Sequence, residues 1–350
     1  MARERIVSGE SQEEDRDSDV SGVPARSEES APAVRPRTLA EYVGQAALVE
    51  RLSIALEAVK ARNDALEHLL LHGPPGLGKT TLAHVVAEEM GTRAWVTSGP
   101  ALTKAADLVG TLTRLGEGDI LFIDEIHRLP AAVEEYIYPA MEDFKVDFTV
   151  DSGMHAKVIT VGLKPFTLIG ATTRAGLLTQ PLRSRFGISH HLEYYEKPEL
   201  RQILERAVER LAMKSVSPEA LDSIASRSRG TPRVALRLLR RVRDFAQVRS
   251  KGQVSPPVVE EALTLEGVDG EGLDELDRKY LRTIFDTYAG GPVGLEAIAA
   301  TMGDDSSTLE DVVEPYLLQK GFLARTRQGR CLTARAGDHL GVQVPGDLFK

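Results

Sequence analysis

Gly73-Pro-Pro-Gly-Leu-Gly-Lys-Thr80 reads as a glycine, four residues, then Gly-Lys-Thr. It is preceded by the apolar run Leu69-Leu-Leu71 and followed by Thr81 to Glu89, which has helical spacing. Strand, loop and helix in that order are the setting in which this pattern binds phosphate. Its glycines let the loop curl until successive backbone N–H groups point inward, and the helix N-terminus adds the positive end of its dipole. A polyphosphate suits that hollow. Lys79 would reach β- and γ-phosphate oxygens, and Thr80 would offer its hydroxyl to Mg²⁺. A ligand-free glycine turn does not account for the complete Gly-Lys-Thr ending.

Working outward, Ile120-Leu-Phe-Ile-Asp-Glu125 puts two carboxylates at the end of a buried strand, and open parallel sheets bind ligands at that edge. Asp124 would hold the Mg²⁺ shell, and Glu125 would orient and polarise the attacking water. Another strand, Phe166 to Ala171, delivers Thr172, Thr173 and Arg174 to the same edge. Pro181-Leu-Arg-Ser-Arg-Phe-Gly187 then places Arg183 and Arg185 before a fifth strand expected around His190 to Tyr195. Either arginine could stabilise phosphoryl charge from a neighbouring subunit or form a surface ion pair, and the residues leave both readings open.

At 350 residues the chain suggests two or three domains, with the 42% hydrophobic and 27% charged content of a soluble globular protein. It contains no eighteen-residue apolar run and no apolar signal-peptide core, so neither membrane insertion nor secretion is expected. Its single cysteine, Cys331, excludes an intrachain disulfide and a multi-cysteine zinc site, in keeping with a reducing cytoplasm. The net charge of −9 argues against non-specific coating of nucleic acid, so any DNA contact should be local. The first 34 residues hold nine acids, four arginines and no aromatic residue, and are expected to be a disordered leader.

Order should begin near Val34, with a helix presenting Leu48, Leu52, Leu56 and Val59 on one face. Between Phe144 and Pro165, Val146, Phe148 and Val150 alternate with polar residues; Ser152-Gly153 gives a turn, and Val158 to Val161 returns through Ile159. This is a projecting β-hairpin whose apolar face either packs on its own domain or docks a partner protein. From Lys197 to Leu265 the periodicity is helical, with no strand pattern, and helices begin at Pro218 and after Pro232. Nine basic residues between Arg227 and Lys251 read mainly as a solvated face, although Arg233 at a helix start could point at nucleotide.

After a linker at 267–272, three helices and a basic hairpin indicate a winged helix. Its third helix is expected to start at Ser307 with Glu310 as capping partner. Glu310, Asp311 and Glu314 on that helix would be repelled by DNA phosphates, so contact is assigned to Arg325, Arg327 and Arg330 of the hairpin, across a Gln328-Gly329 turn.

Taken together, Val34 to Gln45, His72 to Thr81, Leu121 to Leu129, Gly170 to Arg174, Leu182 to Gly187, Arg229-Gly-Thr-Pro-Arg233 and Gly290-Gly-Pro-Val-Gly294 resemble the AAA+ ATPase superfamily. Within it they resemble the motors that drive branch migration of Holliday junctions, over about residues 34 to 345. The resemblance implies an α/β fold: a P-loop parallel sheet with helices on both faces at 34–196, carrying the hairpin at 145–161. A small helical lid at 197–267 and a winged helix at 268–345 would follow. It further implies a homohexamer hydrolysing ATP with Mg²⁺, with Lys79 and Thr80 in Walker A and Asp124 and Glu125 in Walker B. Thr173 would be sensor 1, Arg185 the arginine finger with Arg183 nearby, and Arg233 the sensor 2 arginine. Val34, Arg35, Gly76, Gly78, Thr81, Glu142, Asp143, Phe144 and Tyr195 would complete the nucleotide site. Implied partners are double-stranded DNA at the junction, RuvA at the hairpin through Phe148, Val150 and Ile159, and RuvC in the assembled complex. Two features depart from the family pattern: the acidic leader, and a wing reading Thr326-Arg-Gln-Gly-Arg330 in place of Thr-Pro-Arg-Gly-Arg. Rival classes are a replication initiator that uses ATP as a binding switch, and a protein-remodelling ATPase, which would not need a basic wing.

Overall fold

A computed structural model describes residues 34–343 apart from Asn63 and 151–156. The acidic leader, the hairpin turn at 152–153 and the side chains of Phe148 and Val150 fall outside the described residues. The longer strands of the first half are β1 (Leu69–His72), β2 (Ala94–Ser98), β3 (Ile120–Asp124), β4 (Lys145–Val150), β5 (Lys157–Gly162), β6 (Thr167–Thr172) and β7 (Ile188–His191). Five of them form one parallel sheet in the order β2-β3-β6-β1-β7, which puts β1 and its phosphate loop between β6 and β7.

Both faces of that sheet are covered, and the alternation of side chains shows it residue by residue. Leu69 and Leu71, Ile120 and Phe122, and Ile169 and Ala171 pack into one core with the helices Ala46–Arg62 and Lys79–Met90. Leu70, Leu121, Ile123 and Leu168 point the other way, into a core with the helices Ala105–Leu112 and Ala131–Asp143. A strand buried on both faces has no polar positions to alternate, which is why these segments read as continuous apolar runs.

β4 and β5 pair antiparallel outside this sheet, from Lys145 opposite Gly162 to Val150 opposite Lys157, and Ile159 on β5 is exposed. The fifth sheet strand differs from expectation. It spans Ile188–His191, because its partner β1 ends at His72 opposite His191; the chain beyond Leu192 turns toward the lid.

The lid comprises the helices Lys197–Arg210, Pro218–Ser226, Pro232–Arg249 and Pro256–Leu265, and its buried leucines continue the core that contains the phosphate-loop helix. It also holds a parallel pair, β8 (Ser215–Val216) and β9 (Gln253–Val254), where no strand was expected. Two residues are too few for a period-two pattern to register.

A separate core around Tyr280, Leu281, Ile284, Leu309, Leu317 and Phe322 builds the winged helix. Its helices are Glu275–Tyr288 and Leu295–Met302, then Ser306–Thr308 running through a π-turn, Leu309–Val313, into Glu314–Gln319, with Ala334–Leu340 last. The cap of the third helix is Asp305, not Ser307: its carboxylate accepts the Thr308 N–H at 3.0 Å, two residues earlier than the Ser307–Glu310 spacing suggests. The wing pairs β10 (Leu323–Thr326) with β11 (Gly329–Leu332), so its turn is Arg327-Gln328. Gly329 belongs to the strand because Val293 bridges to Arg330 on its far side; at φ +142° a side chain on residue 329 would collide with the Val293 backbone. Among the described residues no helix is long and apolar enough to cross a membrane.

Candidate functional site

The phosphate loop leaves β1 and enters the helix Lys79–Met90 through Gly78, so the first helical N–H groups lie at the floor of a cleft between the sheet and the lid. Lys79 is buried, and its Nζ donates to the carbonyls of Gly73 and Pro74, each at 2.9 Å. Burial pushes its pKa down, while Asp124 and Glu125 pull it back up and Arg233 lowers it further. A cation enclosed by its own loop is the preformed partner that a polyphosphate requires. Gly76, at φ +81°, lies against the lid: a Cβ there would sit 3.1 Å from Arg233 Cβ, and the Arg233 N–H donates to the Gly76 carbonyl at 3.3 Å.

Across the cleft, β3 ends in Asp124, whose Oδ1 accepts the Glu125 N–H at 3.0 Å. Glu125 adopts a left-handed conformation (φ +45°) that turns the chain sharply out of the sheet. Thr173, just past β6, donates its hydroxyl to Glu125 Oε2 at 3.2 Å, with its backbone N–H 3.4 Å from the same oxygen. Thr80 and Asp124 both line the cleft. Among the described residues no group of three or more acids, histidines or cysteines could hold a metal alone. That donor set fits Mg²⁺, which takes one or two protein oxygens and completes its shell with phosphate and water.

The remaining wall comes from both ends of the ATPase module. Val34 and Arg35 line the cleft beside Tyr195, whose hydroxyl donates to the Leu77 carbonyl at 3.2 Å and lies 3.3 Å from Tyr42 Oη. Burial pushes the Tyr195 phenol far up, so it stays protonated as a donor. From the lid, Arg206 bonds the Glu41 carbonyl, and Arg210 bonds the Glu41 carboxylate at 2.8 Å; both arginines line the cleft and hold the N-terminal segment closed over it. Arg233, Leu236 and Arg240, at helical spacings of three and four, line the same wall.

Gly76, Gly78, Lys79, Thr80, Thr81, Val34, Arg35, Tyr195, Asp124, Glu125, Thr173 and Arg233 therefore meet in one cleft. Glu142, Asp143, Phe144 and Arg183, expected among the nucleotide-binding residues, do not line it, and neither does Arg185, which is expected to act on the nucleotide of an adjacent subunit. Arg185 instead pairs with Glu142 at 3.1 Å, donates to the Pro181 carbonyl at 2.7 Å and lies over the Tyr138 ring. Asp143 pairs with Lys145, Phe144 packs edge-on against Phe166, and Arg183 is exposed. Tyr42, Arg206, Arg210 and Arg240 escaped sequence reading. Only Arg240 carried a local signal, its position two turns beyond Arg233.

Three family models match successive stretches of the chain: the Holliday junction DNA helicase RuvB P-loop domain over 34–192, the RuvB AAA lid domain over 195–269, and the RuvB C-terminal winged helix domain over 270–341. The chain belongs to the RuvB family. A curated RuvB relative, the Holliday junction branch migration complex subunit of Kosmotoga olearia, is 55% identical over 309 residues, covering 88% of this chain and 90% of the relative. Among solved structures, the Thermotoga maritima RuvB branch migration motor is 50% identical with a TM-score of 0.81, covering 89% of this chain and 100% of that one. A mutant of the same protein gives 0.82 at the same identity and coverage. RuvB membership accounts for the parallel sheet, lid and winged helix together, and makes the cleft that of an AAA+ P-loop ATPase.

The RuvB wing differs from its sequence reading. Arg325 and Arg330 both grip Glu314, a carboxylate with 0% side-chain exposure, through Nε–oxygen distances of 2.8 Å, and Tyr280 donates to the same group. Glu314 therefore does not face a DNA groove, and two of the three expected phosphate ligands are engaged within their own domain. Arg327, at the exposed turn, has no salt bridge among the described residues. Burial raises the Glu314 pKa, but the hydrogen bonds from Arg330, Tyr280 and Arg325 outweigh it and leave the group below the ordinary glutamate value.

Proposed function

We propose that this chain is an ATP-hydrolysing motor that moves double-stranded DNA and drives branch migration of Holliday junctions in recombination and repair. The observation that carries the reading is the convergence of Lys79, Asp124, Glu125, Thr173 and Arg233 on one cleft between sheet and lid, in a chain that also carries a winged helix. Lys79 would bind the β- and γ-phosphates, and Glu125 would orient and polarise the attacking water. Mg²⁺, held by Thr80 and Asp124, would neutralise charge on the phosphates. Arg233 begins the lid helix and bonds the phosphate loop through its backbone, so a change in what the cleft holds would reach the lid directly.

The position of Arg185 outside its own cleft supports a ring. In a homohexamer Arg185, with Arg183 near it and Glu142, Asp143 and Phe144 on the same flank, would face the nucleotide of the adjacent subunit. The β4–β5 hairpin would dock RuvA, RuvC would join in the assembled complex, and the wing would contact DNA phosphate, all in the cytoplasm. The decisive test is ATP-dependent dissociation of a synthetic four-way DNA junction, with and without RuvA. Dissociation that needs ATP and is strongly stimulated by RuvA is expected; active hydrolysis with RuvA bound but no dissociation would sink the motor reading. Replacing Glu125 with Gln should preserve ATP binding and lower turnover by about 10²-fold or more, the usual worth of a positioned general base. Unimpaired turnover in single-turnover assays would remove Glu125 from that role.

A further inference from the structure

Glu125 has a second neighbour besides Thr173. His127 lies in the single 3₁₀ turn Ile126–Arg128 after β3, with 8% of its side chain exposed, and its Nδ1 is 3.1 Å from Glu125 Oε2. The same nitrogen hydrogen-bonds the Thr172 hydroxyl at 2.9 Å. Thr172 is the last residue of β6 and is fully buried, and its Oγ1 also accepts the Arg174 backbone N–H at 3.0 Å.

The chemistry of these groups locates the proton. An ionised carboxylate can only accept, so a bare lone pair on Nδ1 facing it would be repelled. A proton on Nδ1 would be donated to the Thr172 hydroxyl oxygen, which can accept as well as donate, and would set the positive end of that N–H 3.1 Å from Glu125 Oε2 as an electrostatic contact. Burial pushes the ring's pKa below the ordinary histidine value, against the upward pull of Glu125, so the ring is neutral at neutral pH and carries its proton on Nδ1.

We propose that His127 is a positioning residue for ATP hydrolysis: hydrogen-bonded to Thr172 at the end of β6, its Nδ1–H holds the Glu125 carboxylate beside it by electrostatic attraction. The inference rests on the reading of Glu125 as the group that orients water. Both holds on that carboxylate come from the C-terminal end of β6: Thr173, just past the strand, acts directly, and Thr172, its last residue, through the imidazole. The orientation of Glu125 thus follows the end of this strand. A Thr173 hydroxyl turned toward phosphate would leave His127 as the remaining side-chain hold, beside the longer 3.4 Å contact of the Thr173 backbone N–H, keeping the carboxylate aimed while the sensor is occupied. Neither side chain could do this alone, since Thr173 has one hydroxyl proton to give.

The test measures steady-state ATP hydrolysis by the full chain on four-way junction DNA for His127→Ala, His127→Asn and His127→Gln, with Glu125→Gln alongside and a melting curve for each. An asparagine amide places an N–H near the Nδ1 position, whereas a glutamine amide places it near Nε2. We expect kcat to fall about 10- to 100-fold in the Ala and Gln variants, the scale of an ångström-level misplacement at a reacting centre. ATP KM should change little, and Asn should restore most of kcat. Parental kcat in His127→Ala, equal losses in Asn and Gln, or a loss confined to KM would each overturn the proposal. If the Ala variant melts early, the Asn–Gln comparison still decides. Glu125→Gln at the parental rate would remove the underlying reading as well, whereas an inactive Glu125→Gln beside an active His127→Ala removes this inference alone.

Discussion

At the scale of single residues, Glu314 shows how charge inside a wing can be structural. Taking the carboxylate out of water is costly, and two guanidiniums and a phenol offset that cost. Glu314→Ala would leave those cations facing an empty site, and is expected to destabilise the winged helix by about 3–5 kcal/mol, read as a shift of its denaturation midpoint. Because the folded pKa of Glu314 lies below the ordinary glutamate value of 4.5, its contribution is complete above that value and is lost as pH falls through the folded pKa. An acid titration of the parent should therefore show winged-helix stability declining below pH 4.5, and Glu314→Ala should lack that component. Arg327 makes the opposite prediction. Arg327→Ala should weaken DNA binding uniformly across sequences and reduce the slope of log K against log salt by about 0.9, with stability unchanged. An unchanged slope would mean that this arginine does not neutralise a phosphate.

At the scale of elements, the lid helix Pro232–Arg249 and the phosphate loop are built to touch. Thr231 caps the helix, Arg233 donates its N–H to Gly76, and Arg233, Leu236 and Arg240 repeat along the face that lines the cleft. Gly76 makes this approach possible. Gly76→Ala would force a side chain into a left-handed backbone at about 1–2 kcal/mol and press its Cβ on Arg233. If that cost falls on the closed form, ATP affinity should drop roughly tenfold, measurable with a fluorescent nucleotide. Unchanged affinity would show that loop and lid can separate without loss. The basic run from Arg227 to Lys251 reads mainly as a solvated face, yet it divides by the partner each arginine meets. Arg233 and Arg240 enter the cleft, while Arg227 pairs with Glu260 and Arg229 with Asp274 and Asp277. Counting charges cannot reveal such a division, because it depends on what the other elements bring to each face.

At the scale of the whole molecule, one apolar core runs from the sheet into the lid, while the winged helix has its own core and is joined to the rest partly by charge. Arg229 connects the residues before the lid helix to the start of the winged helix. Arg174 reaches from the residue after Thr173 to Asp311, with an Nη2–oxygen distance of 2.6 Å, and lies 3.8 Å from Glu310. Glu310 in turn is 3.6 Å from Arg325 and 3.9 Å from Arg330. A line of alternating charge thus joins the edge of the nucleotide cleft to the wing. Asp311→Ala should raise amide hydrogen exchange around both 309–313 and 172–174, leaving ATP binding intact. The difference from the parent should vanish near 1 M salt, where the screening length is about 3 Å. Exchange unchanged at 172–174 would mean that the pair transmits nothing to the cleft.

The sequence by itself determined the ATPase. Phosphate loop, acidic strand end and threonine-bearing strand end are local patterns, each dictated by what a backbone N–H, a carboxylate or a hydroxyl must do at a strand terminus. Continuous apolar runs likewise required a sheet covered on both faces. Helix ends and strand limits were legible only to within a few residues, as the Asp305 cap and the early close of β7 show, because pairing partners set them. What tertiary structure alone decided is which charges face which. Arg325 and Arg330 turn inward to Glu314, Arg185 points away from its own cleft, Arg240 turns into it, and His127 stands beside Glu125. A charged or polar side chain takes its role from the partner it meets. Those partners lie 16 residues away for Arg330 and Glu314, and 45 for His127 and Thr172, distances that only the folded chain closes.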